Sequence, residues 1–282
     1  MTRRLPTAVA AALLCAAAAL TVARPPEAEK APPWREVLPA KELAPLAAQL
    51  SAALKKPVGD LVGGKLDEDD RERAVKKARG LALLLAVGAQ TTEGKGAGSE
   101  LRGPLHSAAG QLDRALRGGK FGDAGAVLAA LPAGKGFEKS AFAPAPLTEA
   151  RDRDDALAAL MVQCRLRAAG GLGVEPQPKN RDHDGLEGML KALGDTGDAG
   201  LKPDEIARFA YRLAVLAEAA RSLPPRPVGT KDPAKWLKWS ADMRDTSLEL
   251  AAAAGRGPAA VRKAALRVGT SCTECHRVFR DN

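Results

Sequence analysis

The sequence predicts an all-helical protein that ends in a four-helix bundle. Alanine and leucine are the most frequent of the 282 residues, whereas aromatic residues make up only 3% of the chain; this balance favours helices over strands. Apolar residues recur at spacings of three and four, which is the period of amphipathic helices. The chain is long enough for one large core or two ordinary ones. We therefore expect an all-α fold, with a second helical domain ahead of the bundle.

Residues 1–23 have the pattern of a secretory signal peptide. Arg3 and Arg4 precede a long Ala/Leu run that ends in TVA, and prolines follow. A basic start, an apolar centre and small residues at the cleavage point are the three parts of such a signal. The alternative is an uncleaved membrane anchor, although alanine inserts poorly into bilayers. We expect cleavage near Ala23 and a periplasmic or otherwise exported protein, which contacts a membrane only if the signal is retained.

The charge pattern argues against a nucleic-acid partner. The net charge of +9 falls to +7 when Arg3 and Arg4 leave with the signal. Basic and acidic residues are interspersed, as in DEDDRERAVKKARG, and no basic run is interleaved with aromatic residues. Such a mixture is typical of solvated helix faces. The remaining positive excess makes an acidic redox protein the candidate partner.

Residues 24–143 are predicted to form an N-terminal helical domain without haem. Its helices are expected at 34–55, 67–90, 100–117 and 121–131. The second begins with acidic residues, which the helix dipole favours in a first turn. The Gly-, Pro- and Ser-containing stretch LPAGKGFEKSAFAPAPLT then predicts a linker. An Ala/Leu pattern that starts at residue 74 recurs at residue 206, as expected of a degenerate repeat; chance similarity between Ala/Leu helices is the alternative.

Residues 144–282 contain four longer amphipathic helices. They are expected at 147–168, about 203–222, about 233–254, and from Pro258 to Phe279. Proline is well placed in the first turn of a helix, where its missing N–H costs nothing. The glycine-rich segment between the first and second of these helices is predicted to be mostly loop. Each helix has an apolar stripe to bury, so a four-helix bundle is expected.

The chain ends in SCTECHRVFRDN, which places Cys272, Cys275 and His276 on the last helix. The two cysteines continue its buried stripe, and His276 follows on nearly the same side. A C-x-x-C-H motif is the signature of c-type haem attachment: two thiols can add to the vinyl groups, and the imidazole can bind the iron as proximal axial ligand. We therefore predict one covalent haem c per chain.

Three other uses of the motif are weaker. A zinc site would need a fourth ligand, and adjacent Cys275 and His276 can rarely reach one tetrahedral metal together. A redox dithiol usually lies beside a βαβ pattern, which this sequence lacks. A disulfide between Cys272 and Cys275 is sterically awkward inside a helix.

The position of the motif resembles that in the cytochrome c′ family. Members carry C-x-x-C-H near the C terminus, on the fourth helix of a four-helix bundle. The motif has the same position in this sequence, and RVFR follows it. Small cytochromes c instead carry the motif near the N terminus. The resemblance covers about residues 147–282, and GGLGV and KWLKWSADMRDTSLELA resemble exported bacterial cytochromes that end in this domain. It implies a haem between the helices and is compatible with a homodimer. The long loop and the N-terminal half depart from a simple member.

The resemblance also implies that a residue of the first bundle helix covers the distal side of the iron. Met161 is the candidate for a sixth ligand, because relatives with methionine there are six-coordinate. Filling of the core is the alternative use of a methionine on an apolar face. Met243, Met189 and His183 are further candidates, and so is an open site.

The other chemically distinctive residues have ordinary structural interpretations. Cys164 lies on an apolar helix face and is expected to be a packed core thiol rather than a ligand. His106 and His183 lie in polar surroundings and are expected at the surface. Trp236 and Trp239 could flank the haem, but their helical spacing favours core packing.

These features predict an exported cytochrome that transfers electrons to and from redox partner proteins. The sequence has no Ser-His-Asp set, no paired carboxylates in a fixed context and no nucleotide-binding loop, so enzymatic activity is not expected. One alternative is a five-coordinate protein that binds nitric oxide or carbon monoxide. Another is an interaction module in the first half, to which a haem domain is tethered.

Overall fold

The structure, a computed structural model, describes residues 34–131, 153–225 and 232–279. The all-α prediction is confirmed: within these ranges the regular structure is helical, and the one β-type pairing is a bridge between Leu38 and Thr92. The α-helices are α1 (Ala40–Gly63), α2 (Glu68–Thr91), α3 (Arg102–Arg117), α4 (Phe121–Ala130), α5 (Arg153–Val162), α6 (Leu186–Thr196), α7 (Pro203–Arg221), α8 (Pro233–Ala253) and α9 (Pro258–Phe279).

Local capping explains why several helices begin where the sequence predicts. The Asp67 carboxylate accepts the Asp70 N–H at 2.7 Å and so caps α2. Asp232 caps α8 in the same way, by accepting the Ala234 N–H at 2.9 Å. Proline occupies the first position of α7, α8 and α9. The first predicted helix is displaced, because the chain forms the Leu38 bridge before α1 begins and α1 then continues to Gly63.

Between residues 147 and 202 the structure shortens one predicted helix and adds another. The helix expected at 147–168 ends at Val162, because the chain then turns tightly; a Cβ on Gly171 would lie 1.9 Å from the carbonyl oxygen of Arg165. Residues 147–152 lie outside the described residues. The expected loop contains α6, whose apolar face includes the buried Met189 and Leu193.

The C-terminal helices pack as a series of neighbours. α8 packs against both α7 and α9, and α6 packs on α9. The connection between α8 and α9 is short, and short connections join antiparallel helices. The stripe predicted on α7 is buried throughout, from Ile206 to Ala220. α5 packs mainly on α2 and also contacts α7.

The described residues of the two halves share an apolar core. α2 packs against α1 and α3, but also against α5 and α7. Buried residues of all these helices belong to one hydrophobic cluster. The predicted boundary at 143/144, its linker and the signal peptide at 1–23 lie outside the described residues. The separate N-terminal domain and the repeat stay predictions. No helix in the described ranges combines the length and apolarity needed to cross a bilayer.

Candidate functional site

A cavity opens beside the last two turns of α9. It encloses about 280 Å³ and is bordered by residues of five helices, α5 to α9. Most of its lining is apolar: Leu157, Leu190, Leu213, Leu216, Trp236 and Trp239. A concave apolar site with a few convergent polar groups is typical of a small-molecule or cofactor site.

Cys272, Cys275 and His276 all border this cavity. The stripe of α9 is fully buried in the first part of the helix, at Val261 and Val268 for example, and becomes half-buried where it reaches the cavity. The spacing of three along a helix places both sulfurs on the same face. The reactive groups of the motif therefore lie along one wall of an apolar space.

Three free thiols meet at the cavity. Burial raises the pKa of Cys272 to about 12 and that of Cys275 to about 11. Cys164, which follows α5, also borders the cavity, and burial raises its pKa to about 12. These thiols are protonated at neutral pH, because burial disfavours the charged thiolate.

The imidazole of His276 has a carboxylate beside it. Its Nδ1 lies 3.7 Å from Oε1 of Glu187, which is in the first turn of α6 and also borders the cavity. The His276 side chain is 37% exposed and that of Glu187 is 64% exposed. Sequence reasoning missed this neighbour, because residue 187 falls in a segment predicted to be loop. The regular apolar spacing of LEGMLKALGDT was the available signal.

The structure brings two of the four candidate sixth ligands to the cavity. Met161, in the last turn of α5, and Met243, on α8, both border it. Met189 is fully buried in the core and is not part of the lining. His183 lies in a short 3₁₀ helix, with Nε2 3.2 Å from the Asn180 side-chain nitrogen, and does not border the cavity.

The aromatic side chains of α8 form one edge of the site. Trp236 and Trp239 both contact Phe279 edge to face, with ring centroids 5.0 and 5.5 Å apart. Trp236 is buried, as core packing predicts, and its indole N–H donates to the Ala220 carbonyl oxygen at 2.8 Å. Both tryptophans also border the cavity.

Polar contacts fix the neighbouring helices that carry the lining. The Ser271 hydroxyl donates to the Asp242 carboxylate and joins α9 to α8 one residue before Cys272. Between α7 and α8, fully buried Glu218 accepts hydrogen bonds from Arg221 at 2.6 Å and Arg244 at 2.8 Å. Sequence periodicity gives no indication of either contact.

His106 lies away from this site. It is half-buried on α3, and its Nε2 lies 2.7 Å from the Gln90 side-chain nitrogen. Burial lowers the pKa of His106. It is not among the residues that border the cavity.

Comparisons with known proteins identify no relative. No protein-family model matches the chain, and neither do the curated proteins or the solved structures. Within the described residues, no three His, Cys, Asp or Glu side chains are grouped to hold a metal ion. The resemblance to the cytochrome c′ family therefore depends on the motif and the helix pattern.

Proposed function

We propose that the protein is an exported c-type cytochrome that carries one covalent haem c and transfers electrons. The observation that carries the proposal is the position of the C-x-x-C-H residues: Cys272, Cys275 and His276 border an apolar cavity between five helices. The apolar lining suits the faces of a porphyrin, and the donor set matches c-type attachment.

The residues of the chain have separate roles in this proposal. Cys272 and Cys275 would hold the haem: each thiol would add across a vinyl C=C bond, so that sulfur bonds to one carbon and the hydrogen goes to the other. The imidazole of His276 would bind the iron. Haem, when bound, supplies one-electron redox chemistry. Trp236 and Trp239 exclude water from the site, and a low dielectric favours the less charged, reduced state.

Electron transfer requires a partner to approach the edge of the site. His276 is 37% exposed at this edge. The net positive charge of the chain favours an acidic redox partner, which complementary charge would steer to the surface.

The test is whether haem stays on the polypeptide. The full chain is produced with a c-type haem maturation system, extracted with acid acetone, and weighed by mass spectrometry. The expected result is one haem per chain, which is lost when Cys272 and Cys275 are both replaced by alanine. Cys164→Ala is the matched control, because Cys164 borders the same cavity but is outside the motif. Haem released by the extraction would contradict the proposal.

A further inference from the structure

α6 and α9 contact each other at three successive levels. A Cβ on Gly197 would lie 2.4 Å from the Pro258 carbonyl oxygen, and a Cβ on Gly194 would lie 3.1 Å from the Leu266 side chain. The third level is the pair of Glu187 and His276. Residue numbers fall along α6 as they rise along α9, so the helices are antiparallel. The close glycine contacts hold the end of α6 against α9, and the antiparallel arrangement brings the first turn of α6 beside the C-terminal motif.

Two further contacts fix the first turn of α6. The Leu186 N–H donates to the Cys164 carbonyl oxygen at 3.1 Å, and a Cβ on Gly188 would lie 2.1 Å from the Asp182 carbonyl oxygen. Only glycine allows such a close backbone approach. Glu187 therefore projects from a helix turn whose position is set by its neighbours.

We propose that Glu187 is a positioning residue for His276 and sets the reduction potential of the iron. This inference rests on the proposed function. The carboxylate lies 3.7 Å from Nδ1, which is longer than a hydrogen bond but close enough for its negative charge to attract the Nδ1–H and to leave Nε2 as the nitrogen that would bind iron. Histidine ligands commonly donate their second N–H to a carboxylate, which fixes the tautomer and raises the basicity of the ligand.

The direction of the effect follows from charge. A more basic imidazole and a nearby negative charge both stabilise ferric iron more than ferrous iron, so the carboxylate lowers the reduction potential. Both side chains are partly exposed, so water screens the interaction and moderates the shift. Removal of the charge should raise the potential without loss of haem.

The chain offers a matched control for this test. Glu274 is two residues before His276, and its carboxylate pairs with Arg277 at 2.9 Å instead of facing the imidazole. Glu274→Gln therefore removes the same charge close to the iron without changing the partner of Nδ1. Glu187→Gln removes the negative charge beside Nδ1, and Glu187→Asp keeps the charge on a shorter side chain.

The experiment measures the midpoint potential of each haem-loaded full-length protein by redox titration. The expected result is a rise for Glu187→Gln that exceeds the rise for Glu274→Gln, with partial recovery in Glu187→Asp. Equal potentials in the two glutamine variants, or an unchanged potential in Glu187→Gln, would overturn the inference alone. A wild-type chain without covalent haem would overturn the proposed function and this inference with it.

Discussion

Two buried charges on α7 differ in their surroundings. Glu218 is completely buried and accepts hydrogen bonds from Arg221 and Arg244. Arg212 is 8% exposed, and its Nε and Nη1 are buried without a hydrogen-bond partner. Burial, followed by repulsion from Arg208, lowers the pKa of Arg212 to about 10. The charge of Glu218 is therefore balanced by hydrogen bonds from two arginines, whereas burial of the Arg212 charge opposes folding.

The two charges should respond in opposite ways to substitution. Glu218→Gln removes the buried carboxylate that accepts from both arginines, although Arg244 keeps its pair with Asp245, and should lower the free energy of unfolding by about 3 kcal/mol. Arg212→Met removes an unsatisfied charge and should leave that free energy unchanged or raise it by about 1 to 3 kcal/mol. Urea denaturation of the haem-loaded variants measures both. A large loss of stability in Arg212→Met would show that its guanidinium has a partner.

The sixth ligand is a second question at the scale of single residues. If the Met161 thioether binds the iron, Met161→Leu should convert a low-spin absorption spectrum to a high-spin one and lower the midpoint potential, because thioether ligation favours reduced iron. Met243→Leu is the matched control, since Met243 borders the same cavity from α8. The reverse pattern would assign the ligand to Met243. A high-spin wild-type spectrum that neither variant changes would favour the gas-binding alternative.

The sequence could predict the residues of the motif but not all of their neighbours. Cys272, Cys275 and His276 are recognisable because their spacing is itself the chemical signal. Glu187 is not, because it meets His276 only after α6 packs on α9. Tertiary packing brings such pairs together, and a single sequence carries no record of it.

At the scale of elements, the glycines of α6 explain why this helix was not predicted from the sequence. The segment from Leu186 to Thr196 has the apolar spacing of a helix, yet glycines precede it, interrupt it and follow it. Glycine is unfavourable within helices, so the composition predicted a loop. In the structure, Gly188 and Gly194 occupy positions where a side chain would collide with a neighbour. By contrast, α7 and α8 combine regular stripes with proline starts, and their predicted ends are correct to within one residue.

The junction of α6 and α9 can be tested with two glycines. Gly197 and Gly200 both have positive φ, at +88° and +74°, so alanine strains the backbone at either position. A Cβ at Gly200 meets nothing within 4 Å, whereas one at Gly197 would collide with Pro258. We expect Gly200→Ala to cost about 1 kcal/mol and Gly197→Ala about 1 to 3 kcal/mol more. Equal losses in thermal unfolding would contradict this close contact.

At the scale of the whole molecule, α2 joins the two halves of the chain. Every residue from Gly80 to Thr91 is buried, because α2 is covered by helices from both halves. The sequence contained a signal for this arrangement. The run GLALLLAVGA is apolar all round rather than along one stripe, and such a helix must be covered on every side. A separate N-terminal domain of four short helices has too few neighbouring helices to cover α2 on every side.

The shared core predicts that both halves unfold together. Leu112, on α3 in the first half, is fully buried, so Leu112→Ala should lower the free energy of unfolding by about 2 to 5 kcal/mol. In a Trp34→Phe background the remaining tryptophans, Trp236 and Trp239, are both on α8. Their fluorescence should report the same lowered midpoint as far-UV circular dichroism. Val62→Ala is the control, because Val62 is 53% exposed. An unchanged tryptophan midpoint beside a lowered dichroism midpoint would instead show two independent domains, as the linker in the sequence predicts.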